Sequence, residues 1–160
     1  MIKTRLIEEK DLNKLAEIFK RVYDTFDVGE YWSLEQAYKL LKYWFDIQPD
    51  LAYLAEVDNK IVGGFVVGVK PWTDGNRLLD GEIFVDPDHQ NHGIGSELLK
   101  VVFKVAIEKY NVTIWDAVTF KGYDFPLNWY KNLGFEEIEE WTLITGNIRK
   151  ALEKLENKNG

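Results

Sequence analysis

The sequence contains no cysteine. Thiol nucleophiles, disulfide frameworks, iron–sulfur clusters and cysteine-bearing zinc sites are therefore excluded together. Positive charge is also in short supply: 20 Lys and Arg face 27 Asp and Glu, leaving a formal charge of −7. An acidic surface repels phosphate backbones, so no nucleic-acid partner is expected, whereas a cationic substrate would be attracted. No apolar run approaches the roughly 18 residues of a membrane span. The opening Met1-Ile2-Lys3-Thr4-Arg5 lacks the apolar centre of a signal peptide. The expectation is a soluble cytoplasmic protein with no membrane partner.

What is present fits an ordinary globular domain. Apolar residues make up 46% of the 160 and charged residues 29%, enough for a core and a solvated surface, which excludes a disordered or collagenous chain. No stretch rich in Pro, Gly or Ser divides the chain and no repeat is seen. One domain over residues 1–160 is expected, with 146–160 as a charged C-terminal helix or tail.

The hydrophobic spacing orders the elements. A short strand is predicted at Ile2–Ile7. Leu12, Leu15, Ile18, Phe19, Val22 and Phe26 then recur at helical spacing. Ser33 and Gln36 form a capping-box pattern ahead of Leu34, Ala37, Leu40, Leu41, Trp44 and Phe45, and Pro49 closes that helix. Strands are predicted at Leu51–Val57, Ile61–Val69 and Leu79–Val85, with turns at 58–60 and 73–76. A helix from Gly93 to about Lys109 precedes a buried strand at Val112–Phe120. Asp124 and Pro126 start a short helix that ends at Leu133-Gly134. A strand at Phe135–Ile144 and a helix at Ile148–Leu155 complete a mixed α/β chain, with one right-handed crossover around residues 83–118.

The stretch Val85-Asp86-Pro87-Asp88-His89-Gln90-Asn91-His92-Gly93-Ile94-Gly95-Ser96 joins a strand to a long helix. Free N–H groups at a helix start, with glycines beside them, can cradle a pyrophosphate; alternatively the glycines serve only the turn. It is not a dinucleotide fingerprint, since the third glycine position is Leu98, and it lacks the Gly-Lys-Ser/Thr of a nucleotide P-loop.

Two motifs here resemble those of the GNAT superfamily of N-acetyltransferases. Val85-Asp86-Pro87 followed by Gln90-x-x-Gly93-x-Gly95 is similar to its acetyl-CoA motif, and Trp129-Tyr130-Lys131-Asn132-Leu133-Gly134-Phe135 is similar to its second signature. The element order agrees over residues 1 to about 144. The resemblance implies a GNAT-like acyl-CoA N-acyltransferase fold: a central, mostly antiparallel sheet with one splayed parallel pair and helices on both faces. It implies acetyl-CoA as donor and no metal. Pantetheine would pair with the backbone of Ile83, Phe84 and Val85 in the gap between the splayed strands. The pyrophosphate would rest on the N–H groups of Asn91, His92, Gly93, Ile94, Gly95 and Ser96, with Gln90 bracing the loop.

The implied reaction is direct acetyl transfer to a primary amine, on a cationic small molecule or a protein, in a ternary complex. An alkylamine with a pKa near about 10.4 must lose a proton before it attacks. The oxyanion formed needs N–H donors, and the departing thiolate needs an acid. Tyr130 holds the family's tyrosine position and is the candidate acid; apart from the motif it would read as a core aromatic. Glu82 is the candidate base, with Asp80, expected on the same strand face, as its substitute; either carboxylate would otherwise be a solvated strand residue. Tyr123 stands where the family often carries an Asn that contacts pantetheine, and Pro126 where it often carries Ala.

Other residues have two readings each. His89 and His92 lie three apart but have no cysteine beside them, which argues against a metal site. Tyr31, Trp32 and Trp72 are packing aromatics or walls of an acceptor pocket. Glu136, Glu137, Glu139 and Glu140 are a solvated face or an attraction for amines. Exposed aromatic loops and the unusual C-terminus are compatible with a homodimer. A non-catalytic acyl-CoA sensor or assembly module of the same fold is the alternative function.

Overall fold

The computed structural model describes residues 1–157. It divides into two compact units, Met1–Val118 and the chain from Thr119 onward. Among the described residues no helix is long and apolar enough to cross a membrane.

The first unit is a five-stranded sheet in chain order: β1 (Ile2–Leu6), β2 (Tyr53–Val57), β3 (Lys60–Trp72), β4 (Gly75–Val85) and β5 (Ile114–Asp116). The first three pairings are antiparallel and β4 with β5 is parallel. Helices α1 (Leu12–Tyr23) and α2 (Leu34–Ile47) separate β1 from β2, and α3 (Ile94–Tyr110) forms the crossover from β4 to β5. Strand alternation on β3 sends side chains to two faces. Val66 joins Leu15, Phe19, Leu41 and Trp44 in the core under α1 and α2. On the neighbouring position Phe65 meets Trp115 of β5, whose ring also meets Phe103 of α3. Helices thus cover both faces, as expected. The glycines of β3 allow the close approach: a Cβ at Gly64 would press on Leu15, and one at Gly68 on Trp44.

Both predicted N-terminal helices form. Ser33 caps α2, its hydroxyl accepting from the Gln36 N–H at 3.1 Å. The predicted Val112–Phe120 strand is shorter than expected. β5 pairs only as far as Asp116 opposite Leu79. Its partner leaves the ladder immediately afterwards, at Asp80.

In the second unit, α4 covers Asp124–Asn132, with Phe125 extended at φ −104 and ψ 134, the conformation a following proline favours. α5 covers Ile148–Asn157. The strand predicted at Phe135–Ile144 does not form; that segment is turn and irregular chain. Its apolar residues Phe135, Ile138, Trp141, Leu143 and Ile144 do not hold the two-residue alternation of a one-faced strand.

Candidate active site

The site begins with a defect in β4. Val66 pairs with Glu82 and Gly68 with Leu79, so Asp80 and Gly81 together oppose Val67. This is a β-bulge, with left-handed backbone at both residues (φ 51 and 85). A Cβ at Gly81 would collide with the Val66 carbonyl oxygen, so glycine is required there for space as well as φ. The indole N–H of Trp115 donates to the Asp80 carbonyl at 2.8 Å, holding the bulge against β5.

Beyond the bulge, Glu82–Val85 pairs with β3 on one edge while the β5 ladder has already ended. The Asp86 N–H donates to the Val62 carbonyl. By alternation, the main-chain groups of Ile83 and Val85 then point to the open edge. Phe84 pairs with Gly64, and its ring packs edge-on against Phe19 in the core. Of the three residues expected to offer backbone groups, Ile83 and Val85 present theirs at the opening.

Next comes the loop. Gln90 Nε2 donates to the Val85 carbonyl at 3.0 Å, tying the loop to the end of β4. Asp86 is buried and accepts from the Asp88 N–H at 3.0 Å. Arg21 of α1 pairs with Asp86 at 2.7 Å and Asp88 at 2.9 Å. Asn91 and Gly93 take left-handed φ values of 63 and 78. No atom crowds a Cβ at Gly93, so its glycine answers to backbone conformation alone. The first helical bond of α3 runs from the Glu97 N–H to the Gly93 carbonyl at 3.1 Å. The N–H groups of Ile94, Gly95 and Ser96 precede it and have no carbonyl within the helix to meet. With the helix dipole, these free donors can receive an anion beside the open strand edge. His92 bends back, its Nδ1 2.6 Å from the Gln90 carbonyl, and His89 Nδ1 lies 3.6 Å from Asp86. Among the described residues no three His, Asp or Glu side chains gather as metal ligands would.

On the α1 face, half-buried Glu82 receives the Tyr23 hydroxyl at 3.3 Å. Burial, then the Asp80 and Glu30 charges, push its carboxyl up to about 8, against a partial offset from the Tyr23 hydrogen bond. Asp80 was expected on the same regular strand face. The bulge interrupts that alternation, and Asp80 is exposed on the turn of the strand with its carboxyl raised by partial burial. Around Tyr23 lie Phe19, Trp32 and Phe26, at centroid distances of 4.6, 5.8 and 6.4 Å. Trp32 is thus the loop aromatic that joins this cluster, its Nε1 donating to Glu30 at 3.2 Å. Tyr31 is exposed, and Trp72 stacks under the Lys70 ammonium at 4.2 Å. Sequence reasoning missed Arg21, Tyr23 and Glu30. Arg21 and Tyr23 flank the buried Val22 on α1, and no local spacing links them to a loop and a strand some sixty positions away.

The second unit holds the remaining expected residues. Tyr130 is buried, its ring 5.1 Å from Trp129 and 5.6 Å from Phe135. Tyr123 is half-buried, 6.2 Å from Phe120. Glu137 pairs with Lys131 at 2.6 Å, while Glu136, Glu139 and Glu140 are exposed.

Residues 48–137 match the family model described as an acetyltransferase (GNAT) domain. An uncharacterized N-acetyltransferase of Methanocaldococcus jannaschii is 32% identical over 148 residues, 87% of this chain and 64% of the relative. The chain therefore spans less than two thirds of that relative's length. A possible acetyltransferase from Clostridium difficile superposes with a TM-score of 0.73 at 16% identity, covering 92% of this chain and 97% of the other. A predicted acetyltransferase from Clostridium acetobutylicum, solved with acetyl-CoA, gives 0.65 at 21% identity, covering 91% and 96%.

Proposed function

Because this chain belongs to the GNAT acetyltransferase family, we propose that it transfers an acetyl group from acetyl-CoA to a primary amine by direct attack in a ternary complex. The observation that carries this reading is the open edge of β4 lying directly before an N-terminal helix cradle. The edge offers Ile83 and Val85 to a pantetheine amide, and the N–H groups of Ile94, Gly95 and Ser96 offer donors to a pyrophosphate. A family neighbour solved with acetyl-CoA supports the choice of donor.

Glu82 is the base in this reading. Its carboxyl, raised to about 8, sits near the pH at which a base must both ionise and hold a proton well. It takes a proton from the ammonium form of the acceptor, directly or through a water. The open edge of β4 beside Glu82 supplies the N–H donor to the oxygen that gains charge as the amine attacks. Tyr130 is assigned as the acid for the departing thiolate by its place in the Trp129–Phe135 motif. The acceptor is a cationic amine, since Asp80 and Glu30 place negative charge beside Glu82, Trp32 and Tyr23.

Thermal unfolding with acetyl-CoA, using ATP and NAD as controls, tests the donor. A ligand at about 100 times its Kd should add roughly 2.7 kcal/mol, a shift of about 5–10 °C. Release of free CoA thiol is then followed with lysine, spermidine and a short peptide bearing a free N-terminus. Amine-stimulated release that falls in Glu82→Gln and Tyr130→Phe supports the reading. No shift with acetyl-CoA overturns it.

A further inference from the structure

We propose that Tyr23 is the positioning residue for Glu82, its hydroxyl holding carboxylate Oε2 so that Oε1 is presented to the acceptor amine. This rests on the reading of Glu82 as the base.

The contact joins elements 59 positions apart: Tyr23 is the last residue of α1, and Glu82 is the first residue of β4 after the bulge. Neither side of it is loose. The Tyr23 ring is wedged between Phe19, Phe26 and Trp32, which fixes the direction of its hydroxyl. The Glu82 backbone is paired with Val66, and the bulge behind it sets where the side chain leaves the strand. A carboxylate on a strand face otherwise samples several rotamers, and a misdirected base loses rate steeply with small displacements.

The donor and acceptor roles follow from the surroundings. Burial and the nearby Glu82 charge push the Tyr23 phenol far up, so it keeps its proton and donates. The charged groups facing Glu82 are Asp80 from β4 and Glu30 from the connection between α1 and α2, both of which disfavour its ionisation. Tyr23 is the neighbour whose hydrogen bond favours the carboxylate over the acid. Its hydroxyl thus directs the base and keeps part of it ionised near neutrality.

The test is Tyr23→Phe, which keeps the ring packing, with unfolding measured to verify the fold. The Glu82 carboxyl is followed by 13C NMR titration, assigned through Glu82→Gln, and kcat is followed against pH with acetyl-CoA and spermidine, lysine or the peptide amine. The expected result is an upward move of the Glu82 titration by roughly 0.5–1 pH unit. At pH 7, kcat falls about three- to tenfold and recovers as the pH passes the shifted value; KM for acetyl-CoA stays the same. An unmoved Glu82 titration overturns the role of Tyr23, even where Glu82→Gln removes the pH-dependent limb and so leaves the base reading standing. A Glu82→Gln enzyme that retains the wild-type limb overturns the base reading itself, and Tyr23 falls with it.

Discussion

The guanidinium of Arg21 lies 2.7 Å from the carboxylate of Asp86, tying the last turns of α1 to the loop that opens α3. Asp86 also accepts from the Asp88 N–H, so one buried carboxylate shapes the turn and anchors it. Asp86→Ala removes both contacts. A loss of about 1–2 kcal/mol in stability is expected by denaturant unfolding. Calorimetric titration should show acetyl-CoA affinity weakened roughly tenfold, since a slackened loop must be re-ordered on binding. Arg21→Ala, whose side chain is half exposed, should weaken affinity less than Asp86→Ala does.

The bulge at Asp80-Gly81 should be the least tolerant point in β4. Gly81→Ala combines a left-handed φ of 85 with a collision at the Val66 carbonyl. It should cost at least about 2 kcal/mol and lower Tm by roughly 4–8 °C. Gly29→Ala is the control: φ is 76 but no atom lies within 4 Å of the added Cβ, so about 1 kcal/mol is expected. Equal losses in the two variants would show that the bulge is not sterically enforced.

Glu82 makes stability depend on pH in a defined direction. Its carboxyl rises from 4.5 to about 8 on folding, so the folded state holds the proton more tightly. Below about 4.5 both states are protonated and the group contributes no difference. Between about 4.5 and 8 the unfolded chain ionises while the folded one does not, and stability declines as pH rises. Glu82→Gln removes that decline. By urea unfolding the variant should gain on wild type by on the order of 3 kcal/mol between pH 5 and pH 9. Parallel pH curves for the two proteins would contradict the burial of this carboxyl.

At the other end of α3, Asp50 accepts from the Tyr110 hydroxyl at 2.5 Å, from Gln48 at 2.7 Å and from Lys109 at 3.0 Å. Burial acts to raise its carboxyl, but these donors outweigh it and hold the group down at about 2, against an ordinary 3.8. The stabilisation is complete above about 3.8 and is lost as pH falls through about 2. Asp50→Asn should lower stability at pH 7 by about 1 kcal/mol. Specific activity should not change, because α3 is 17 residues long and places this cluster about 25 Å from the cradle. A large loss of activity would place Asp50 in the site after all.

The parts of this protein that were legible in the sequence depend on neighbours within a few positions. The Leu12–Val22 stripe, the Ser33 cap and the strand-to-helix junction from Val85 to Ser96 all appear where spacing and turn chemistry put them. The Phe135–Ile144 segment has the composition of a strand but not its spacing, and a strand exists only where a partner completes its ladder. β5 was overextended for the related reason that its length is set by where β4 turns away.

By itself, the sequence determined the order of the elements from β1 to α4, the family motifs and the absence of thiol chemistry, since each is written in local pattern or composition. The tertiary structure alone decided that Asp80 and Gly81 form a bulge, that Tyr23 reaches Glu82, and that Arg21 holds the loop at Asp86. The bulge depends on how β4 registers against β3, and the other two depend on residues 59 to 67 positions apart being brought together. The charge state of Glu82 depends on them too, because burial and neighbouring charge are properties of the packed chain and not of a residue type.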